Sequence, residues 1–254
     1  MTGRSSLAHP EASAQASGTS RPALKVGIPL YAGFDSLDVL GPYQTFTFAG
    51  MDRYLVATDS TPVESFEGVR LSPRSTFANC PQLDVLFVPG GANPVSEVLL
   101  KGHPGGNPYL DFLITQATNA QLVCSVCTGA LLLAGAGLLD GCIATTHWAY
   151  KEALALFRCT VVDDYRRYVQ SGNRITGAGI SSGLDVAMYI VSLLYGVRTA
   201  RQGQLAMQYN PQPPFHCGDP ADTDSKDDPG MVSQQKQDFG VKSSYEAVAK
   251  WLGK

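Results

Sequence analysis

Apolar residues follow two rhythms along this chain. Short unbroken runs bounded by Gly, Pro or Asp read as strands buried on both faces. Leu24–Leu30 (LKVGIPL), Tyr54–Thr58 (YLVAT), Leu83–Val88 (LDVLFV) and the run that opens at Gln121 (QLVCSV) are of this kind. Between them the apolar residues fall at helical spacing. Leu110, Leu113, Ile114 and Ala117 predict a helix over Asn107–Ala120. Leu184, Ala187, Met188, Val191, Leu194 and Tyr195 predict one or two helices over Ser181–Met207. Gly41-Pro42 reads as the start of a helix through about Ala49, since Pro fits a first helical turn. Val69–Leu71 suggests a short hairpin. Gly141–His147 reads as a turn into a strand, Cys159–Val162 and Tyr165–Gln170 as strands, and Arg174–Gly179 as a strand running into a Gly turn.

The ends of the chain lose this rhythm. Residues 1 to 23 are Ser, Ala, Gly, Pro and Thr with scattered charge, too poor in apolar side chains to fold, and read as a disordered tail. From Asn210 the chain turns Pro-rich and then acidic, which reads as a loop. Ser243–Leu252 has the pattern of a short amphipathic helix. No internal repeat interrupts residues 24–254, which read as a single α/β domain.

Composition narrows the function classes. The chain has 254 residues, is 44% hydrophobic and 16% charged, and carries a net charge of −3. That weak acidity offers no electrostatic footprint for nucleic acid. No apolar run reaches the roughly 18 residues of a membrane span. The start lacks the charged and apolar regions of a secretory signal. The six cysteines therefore read as reduced thiols of a cytoplasmic protein.

The candidate chemistry centres on Gln121–Leu139 (QLVCSVCTGALLLAGAGLL). It begins as a strand, breaks at Cys127-Thr128-Gly129 and resumes with helical habits. A small nucleophile between a buried strand and a helix start is the geometry of a nucleophile elbow. Free N–H groups and partial positive charge at such a start favour a thiolate and lower the pKa of Cys127. A buried core cysteine is the alternative. Asp38 lies at the C-terminal edge of the first strand, where open α/β sheets place their sites; the alternative is a helix cap or a solvated loop charge. Gly90-Gly91 follows another strand, where paired glycines can aim a backbone N–H at a ligand or make a tight turn. His147 lies 20 residues past Cys127 and would approach it on an adjacent strand, or else belongs to a helix cap.

Other motifs carry less. Cys124-Ser125-Val126-Cys127 is a CxxC, but Cys124 falls inside the apolar strand and no second pair completes a metal site. Gly177, Gly179 and Gly183 stand between a strand and a helix without the later acidic residue of a dinucleotide site. The phosphate-binding loop and HExxH do not occur in the sequence.

Several segments agree in order: SLDVLGP at 36–42, LDVLFVPGG at 83–91, VCSVCTGALLLAGAGLLDG at 123–141, ATTHWAY at 144–150, ITGAGISSGLD at 175–185 and QLAMQYNPQPPF at 204–215. Together they resemble the ThiJ/PfpI superfamily of the class I glutamine amidotransferase-like fold, and within it the isonitrile hydratase group. The resemblance spans about residues 24 to 220. It implies a flavodoxin-like α/β fold, a mostly parallel sheet sandwiched by helices around a nucleophile elbow, and a homodimer. It places the nucleophile at Cys127, its acidic partner at Asp38, and the threonine that follows the nucleophile at Thr128. Gly91 matches the residue whose N–H helps form the anion pocket, to which the Thr128 N–H would add; His147, Trp148 and Gly179 are candidate pocket residues. The group's LDLTGP pattern is LDVLGP here, so Leu40 replaces a threonine and would alter pocket polarity. SVCTG and THW also occur in relatives fused to AraC-type DNA-binding domains; no such module is expected here.

The resemblance implies a lyase that adds water to a small-molecule isonitrile, giving an N-substituted formamide with no metal or organic cofactor. Asp38 beside a thiolate is expected to have a raised pKa and to act as an acid. A hydrolase or glyoxalase-type cysteine enzyme of the same superfamily is one alternative. A redox sensor or metabolite-binding accessory protein of secondary metabolism is the other. Trp148 and Phe215 could shape the pocket for the substituent or pack at a dimer interface.

Overall fold

The computed structural model describes residues 22–254, so the expected tail lies outside the described residues except at its end. Its middle layer is a seven-stranded sheet. In chain order the strands are β1 (Lys25–Pro29), β2 (Asp52–Ala57), β3 (Ser75–Thr76), β4 (Val85–Val88), β5 (Leu122–Ser125), β6 (Tyr168–Ser171) and β7 (Arg174–Gly177). Across the sheet they run β6-β7-β5-β4-β1-β2-β3. The pairings are parallel except β6 with β7. β4 and β5 are buried at every position, as unbroken apolar runs require when both faces of a sheet are covered. Fold class and sheet parallelism are as the sequence predicts.

The flanking helices are α1 (Ser36–Phe48), α2 (Pro108–Ala117), α3 (Gly129–Gly135), α4 (Ser182–Tyr195), α5 (Val197–Ala206), α6 (Pro229–Asp238) and α7 (Val241–Trp251). α2 starts as expected: Asn107 caps it by accepting from the N–H groups of Tyr109 and Leu110, with Pro108 in the first turn. α4 and α5 are two helices because Gly196, at φ 87°, breaks the run. The hairpin near Val69 pairs Val63–Glu64 with Arg70–Leu71. α7 buries Val241 and Val248 in the same core as β1.

Two helices differ from expectation. α1 begins at Ser36, one turn and a half before Pro42, because Asp35 caps it and accepts from Leu37 N–H (3.0 Å) and Asp38 N–H (3.4 Å). Pro42 therefore sits inside the helix rather than in its first turn. The segment after Asn210 also carries helix: Thr223–Asp227 and then α6, which has no buried residue. Without an apolar stripe there was no period to read. The segment Ile143–Ala144 is a two-residue strand paired with Thr160–Val161, outside the main sheet.

This order has one functional consequence. From β1 the chain moves outward through β2 to β3, then returns to β4 on the other side of β1. The carboxyl ends of β1 and β4 thus diverge at a switch point, the place where doubly wound sheets hold ligands.

Candidate active site

The loop after β5 turns sharply at Cys127, which holds φ at 55°. A left-handed conformation in a non-glycine residue costs of order 1–3 kcal/mol and persists when its surroundings over-determine it. They do so here. Cys127 N–H donates to Ala178 O (2.7 Å), Val126 N–H donates to Val88 O (3.1 Å), and the Thr146 hydroxyl donates to Cys127 O (2.8 Å). Gly129 makes room for the turn: a Cβ there would stand 2.4 Å from Val88 O. The strand-turn-helix elbow expected from the sequence is present, though α3 has only seven residues.

Asp38 is brought to this elbow by the first turn of α1 and is fully buried. Its Oδ2 accepts from Gly90 N–H at 2.8 Å, while Oδ1 has no hydrogen-bond partner other than the neighbouring Cys127 thiol. The cap role belongs to Asp35, so the Asp38 carboxyl is not the helix cap. A second bond, Asp35 N–H to Gly90 O at 3.0 Å, ties α1 to the same glycine. The spacing Asp35-x-x-Asp38 resembles a capping signal and was the available clue.

Burial pushes the Asp38 carboxyl well above the usual carboxylate range, with the charge of Asp35 as the next cause. The raised direction matches the expectation, but it comes first from desolvation. Burial also pushes the Cys127 thiol up, and the charge of Asp38 pushes it further. This reverses the expected lowering. A short helix start contributes the Thr128 N–H, which favours the thiolate, but desolvation and a carboxylate neighbour outweigh it. The Asp38 charge thus opposes ionisation of the thiol, while the thiol as a donor favours the Asp38 carboxylate.

Thr128 and Gly91 are locked to each other. Gly91 N–H donates to Thr128 Oγ1 (3.0 Å), and that hydroxyl donates to Gly91 O (2.9 Å). Gly91 N–H is thus occupied and is not an open anion donor; the Thr128 N–H beside the sulfur remains. Gly90 is the closer approach: a Cβ there would lie 2.5 Å from Thr128 N and 2.9 Å from Cys127 Cβ. The tight turn and the site are the same feature.

A cavity of about 440 Å³ adjoins the elbow. Its wall includes Thr146 and Ala178, the residues that bond the Cys127 backbone, with Leu37, His147, Trp148 and Gly179. Cys127 and Asp38 do not line it, and Cys127 is only 5% exposed. His147 makes no bond to Cys127. Its Nδ1 accepts from Ala149 N–H at 3.3 Å, capping the turn Trp148–Tyr150. Burial lowers its pKa to about 4, so it is a neutral wall residue. Phe215 is exposed and outside the cavity, whereas Gly218, Asp219 and Asp222 of the same loop line it. Leu40 is 40% exposed and also outside it, so the change from the LDLTGP pattern does not touch this cavity.

The glycines set aside as a nucleotide motif serve packing. A Cβ at Gly177 would meet Val186 at 2.8 Å, and one at Gly183 would meet Pro42 at 3.2 Å. Cys124 is fully buried, and desolvation holds its thiol far above the ordinary range. It is too enclosed to resolve a disulfide with Cys127.

A buried acid and a cysteine at a strained strand-to-helix turn, on a mostly parallel sheet, define a cysteine-elbow α/β protein. The chain belongs to the DJ-1/PfpI family, whose model matches residues 24–193. It is 43% identical over 201 residues to isonitrile hydratase of Pseudomonas putida, across 78% of this chain and 84% of that protein. A ThiJ/PfpI family protein of Pseudomonas syringae superposes with a TM-score of 0.78 at 32% identity, with 91% of each chain covered. Drosophila melanogaster DJ-1beta, at 21% identity and a TM-score of 0.64, covers 73% of this chain and 98% of its own and shares the fold. Among the described residues no helix is long and apolar enough to cross a membrane.

Proposed function

We propose that the protein is an isonitrile hydratase-like lyase that converts an isonitrile and water to an N-substituted formamide. The observation that carries this reading is the Asp38–Cys127 pair: a raised-pKa carboxyl with one oxygen left to the thiol of a strained nucleophile. The 43% identity to a hydratase over most of both chains supports it.

The terminal carbon of an isonitrile must gain both a nucleophile and a proton. In the reactive form of the pair the proton resides on Asp38 and the charge on sulfur. The thiolate attacks the terminal carbon, forming a C–S bond. The lone pair on that carbon takes the Asp38 proton, giving a thioimidate. Water then adds to the thioimidate carbon, giving one proton to the Asp38 carboxylate, which delivers it to the nitrogen. Collapse breaks the C–S bond, returns its electron pair to sulfur, passes the hydroxyl proton to the Asp38 carboxylate and leaves the formamide, restoring the starting pair. The Thr128 N–H stabilises the sulfur charge at both ends of the cycle. Access favours this class of electrophile. A thiol 5% exposed suits a slender two-atom rod better than a peptide carbonyl flanked by chain.

The test is formamide production from a simple alkyl or cycloalkyl isonitrile. Wild type turns over; Cys127→Ala and Asp38→Asn each lose at least about a hundredfold in kcat/KM. Equal turnover in wild type and Cys127→Ala would sink the reading, as would a wild type that hydrolyses peptides or methylglyoxal but no isonitrile.

A further inference from the structure

The chemistry above leaves one buried polar side chain at the site unused. Tyr31 follows β1 directly, is 6% exposed, and its hydroxyl has no hydrogen-bond partner. Its neighbour Tyr109 is already committed, donating to Pro29 O at 3.0 Å while its ring meets Tyr31 edge to face. The Tyr31 hydroxyl reaches the site across Gly91. A Cβ on Gly91 would stand 2.8 Å from Tyr31 Oη, so the glycine is what lets the phenol in. Asp38 and Cys127 both lie close enough for their charges to raise the phenol's pKa, after burial and Tyr109.

Two buried polar atoms of the site therefore lack a nitrogen or oxygen partner: Tyr31 Oη, and Asp38 Oδ1, whose one neighbour is the Cys127 thiol. Leaving a buried hydroxyl unpaired costs about 1–3 kcal/mol. Two of them beside a strained nucleophile make a place for a small polar guest. The guest must accept from or donate to a phenol and donate to a carboxylate. Water does both, and water is the second reactant of the proposed reaction.

We propose that Tyr31 Oη and Asp38 Oδ1 together hold the water molecule that hydrates the Cys127-bound intermediate, making Tyr31 a positioning residue for the hydrolytic half of the cycle. This inference rests on the isonitrile reading for its chemistry, but its site stands on the two orphaned atoms alone. The bound water forms the C–O bond with the thioimidate carbon and gives one proton to Asp38 Oδ1. Tyr31 keeps its own proton throughout and orients the oxygen lone pair. Formation of the thioimidate needs no water, so the first half-reaction does not require Tyr31.

Tyr31→Phe removes one oxygen and keeps the ring packed on Tyr109. The expected result is a tenfold or greater fall in kcat with a parallel fall in KM, so that kcat/KM stays within about threefold. Mass spectrometry in the steady state would then show Cys127 carrying the added mass of the isonitrile in the variant and little of it in wild type. A merely structural role would lower the folded fraction without accumulating that adduct. Wild-type kcat and no adduct in Tyr31→Phe would overturn the proposal. A crystal structure of each protein supplies the arm independent of substrate: an ordered water bridging Tyr31 Oη and Asp38 Oδ1 in wild type, lost in Tyr31→Phe. No such water in wild type, or a Tyr31 hydroxyl bonded to a protein atom, overturns it even if isonitriles turn over. A bridging water present in a wild type that hydrates no isonitrile would sink the proposed reaction and the water's role in it, while leaving the water site itself in place.

Discussion

β5 and the elbow that follows it carry two cysteines three residues apart, and both are buried. Their fates differ. Cys124 lies in a ladder between β4 and β7, paired with Phe87 on one side and Ile175 on the other. Its thiol faces no acid and is held protonated by desolvation. Cys127 has left the ladder. Its backbone is pinned by Ala178 and Thr146, with the preceding Val126 held to Val88, in a conformation that L-residues avoid, and that strain aims its sulfur at Asp38. Burial alone makes a cysteine inert. What separates the two is the backbone: a regular strand distributes side chains to the two faces, whereas an elbow can present one to a neighbour from another element.

The largest expected effect breaks this contrast directly. Cys127→Gly relieves the positive φ and removes the sulfur; it should lower isonitrile turnover by at least about a thousandfold while leaving the melting temperature equal to or above wild type. Cys124→Ala does the opposite. It should keep kcat within a few-fold and destabilise by about 1–2 kcal/mol through the small cavity it leaves. Activity and thermal melts measured on both proteins check it. A stable, inactive Cys124→Ala would put chemistry in the strand and collapse the distinction.

The next effect tests whether the elbow depends on its floor. Gly90→Ala places a methyl group 2.5 Å from Thr128 N and 2.6 Å from its hydroxyl. Backbone must move, so a loss of about 1–3 kcal/mol is expected, and Asp38 would lose its 2.8 Å bond to the Gly90 N–H. Denaturant unfolding reads the stability. A variant as stable as wild type would mean that the loop yields more easily than its packing implies.

These contrasts also mark what the chain reveals before folding. The elbow was legible because an apolar run breaks at Cys127-Thr128-Gly129, a local event. The central strands were legible for the same reason: Val85–Val88 is apolar without interruption. Asp38 is legible as a site candidate, but its surroundings are not, since Gly41-Pro42 is the stronger local signal for a helix start and the cap is Asp35, six residues earlier than Gly41. The pKa of Cys127 reversed because desolvation and the Asp38 charge come from long-range packing, which no local pattern carries. Tyr31 was invisible as a site residue for that reason too. Its hydroxyl reaches the site only through contacts with Gly91, 60 positions on. α6 was missed because it buries nothing and so has no apolar period.

The smallest expected effect sharpens the contrast from the cavity side, through a residue that walls the site without touching the sulfur. His147 packs among Trp148, Tyr150 and Phe239 and against Gly179, an apolar cage that holds it neutral with a pKa of about 4. An unfolded histidine has a pKa of about 6.5. Between these values the unfolded state binds the extra proton, so His147 takes stability away as pH falls through that window and takes none above it. By pH 5 the penalty reaches about 2 kcal/mol. Asp38 acts with the opposite sign, because its raised pKa makes the folded state the better proton binder. The difference between two proteins isolates the histidine. Asn at 147 keeps an oxygen to accept from Ala149 N–H and suits the cap, but does not titrate. The stability gap between His147→Asn and wild type should therefore shift by about 2 kcal/mol in the variant's favour from pH 7.5 to pH 5, while kcat/KM at pH 7.5 changes by less than about threefold. A gap independent of pH would mean that His147 protonates freely in the folded protein. A hundredfold loss of activity would return it to the reacting pair, and the line between residues that meet the sulfur and residues that only wall the cavity would have to be redrawn.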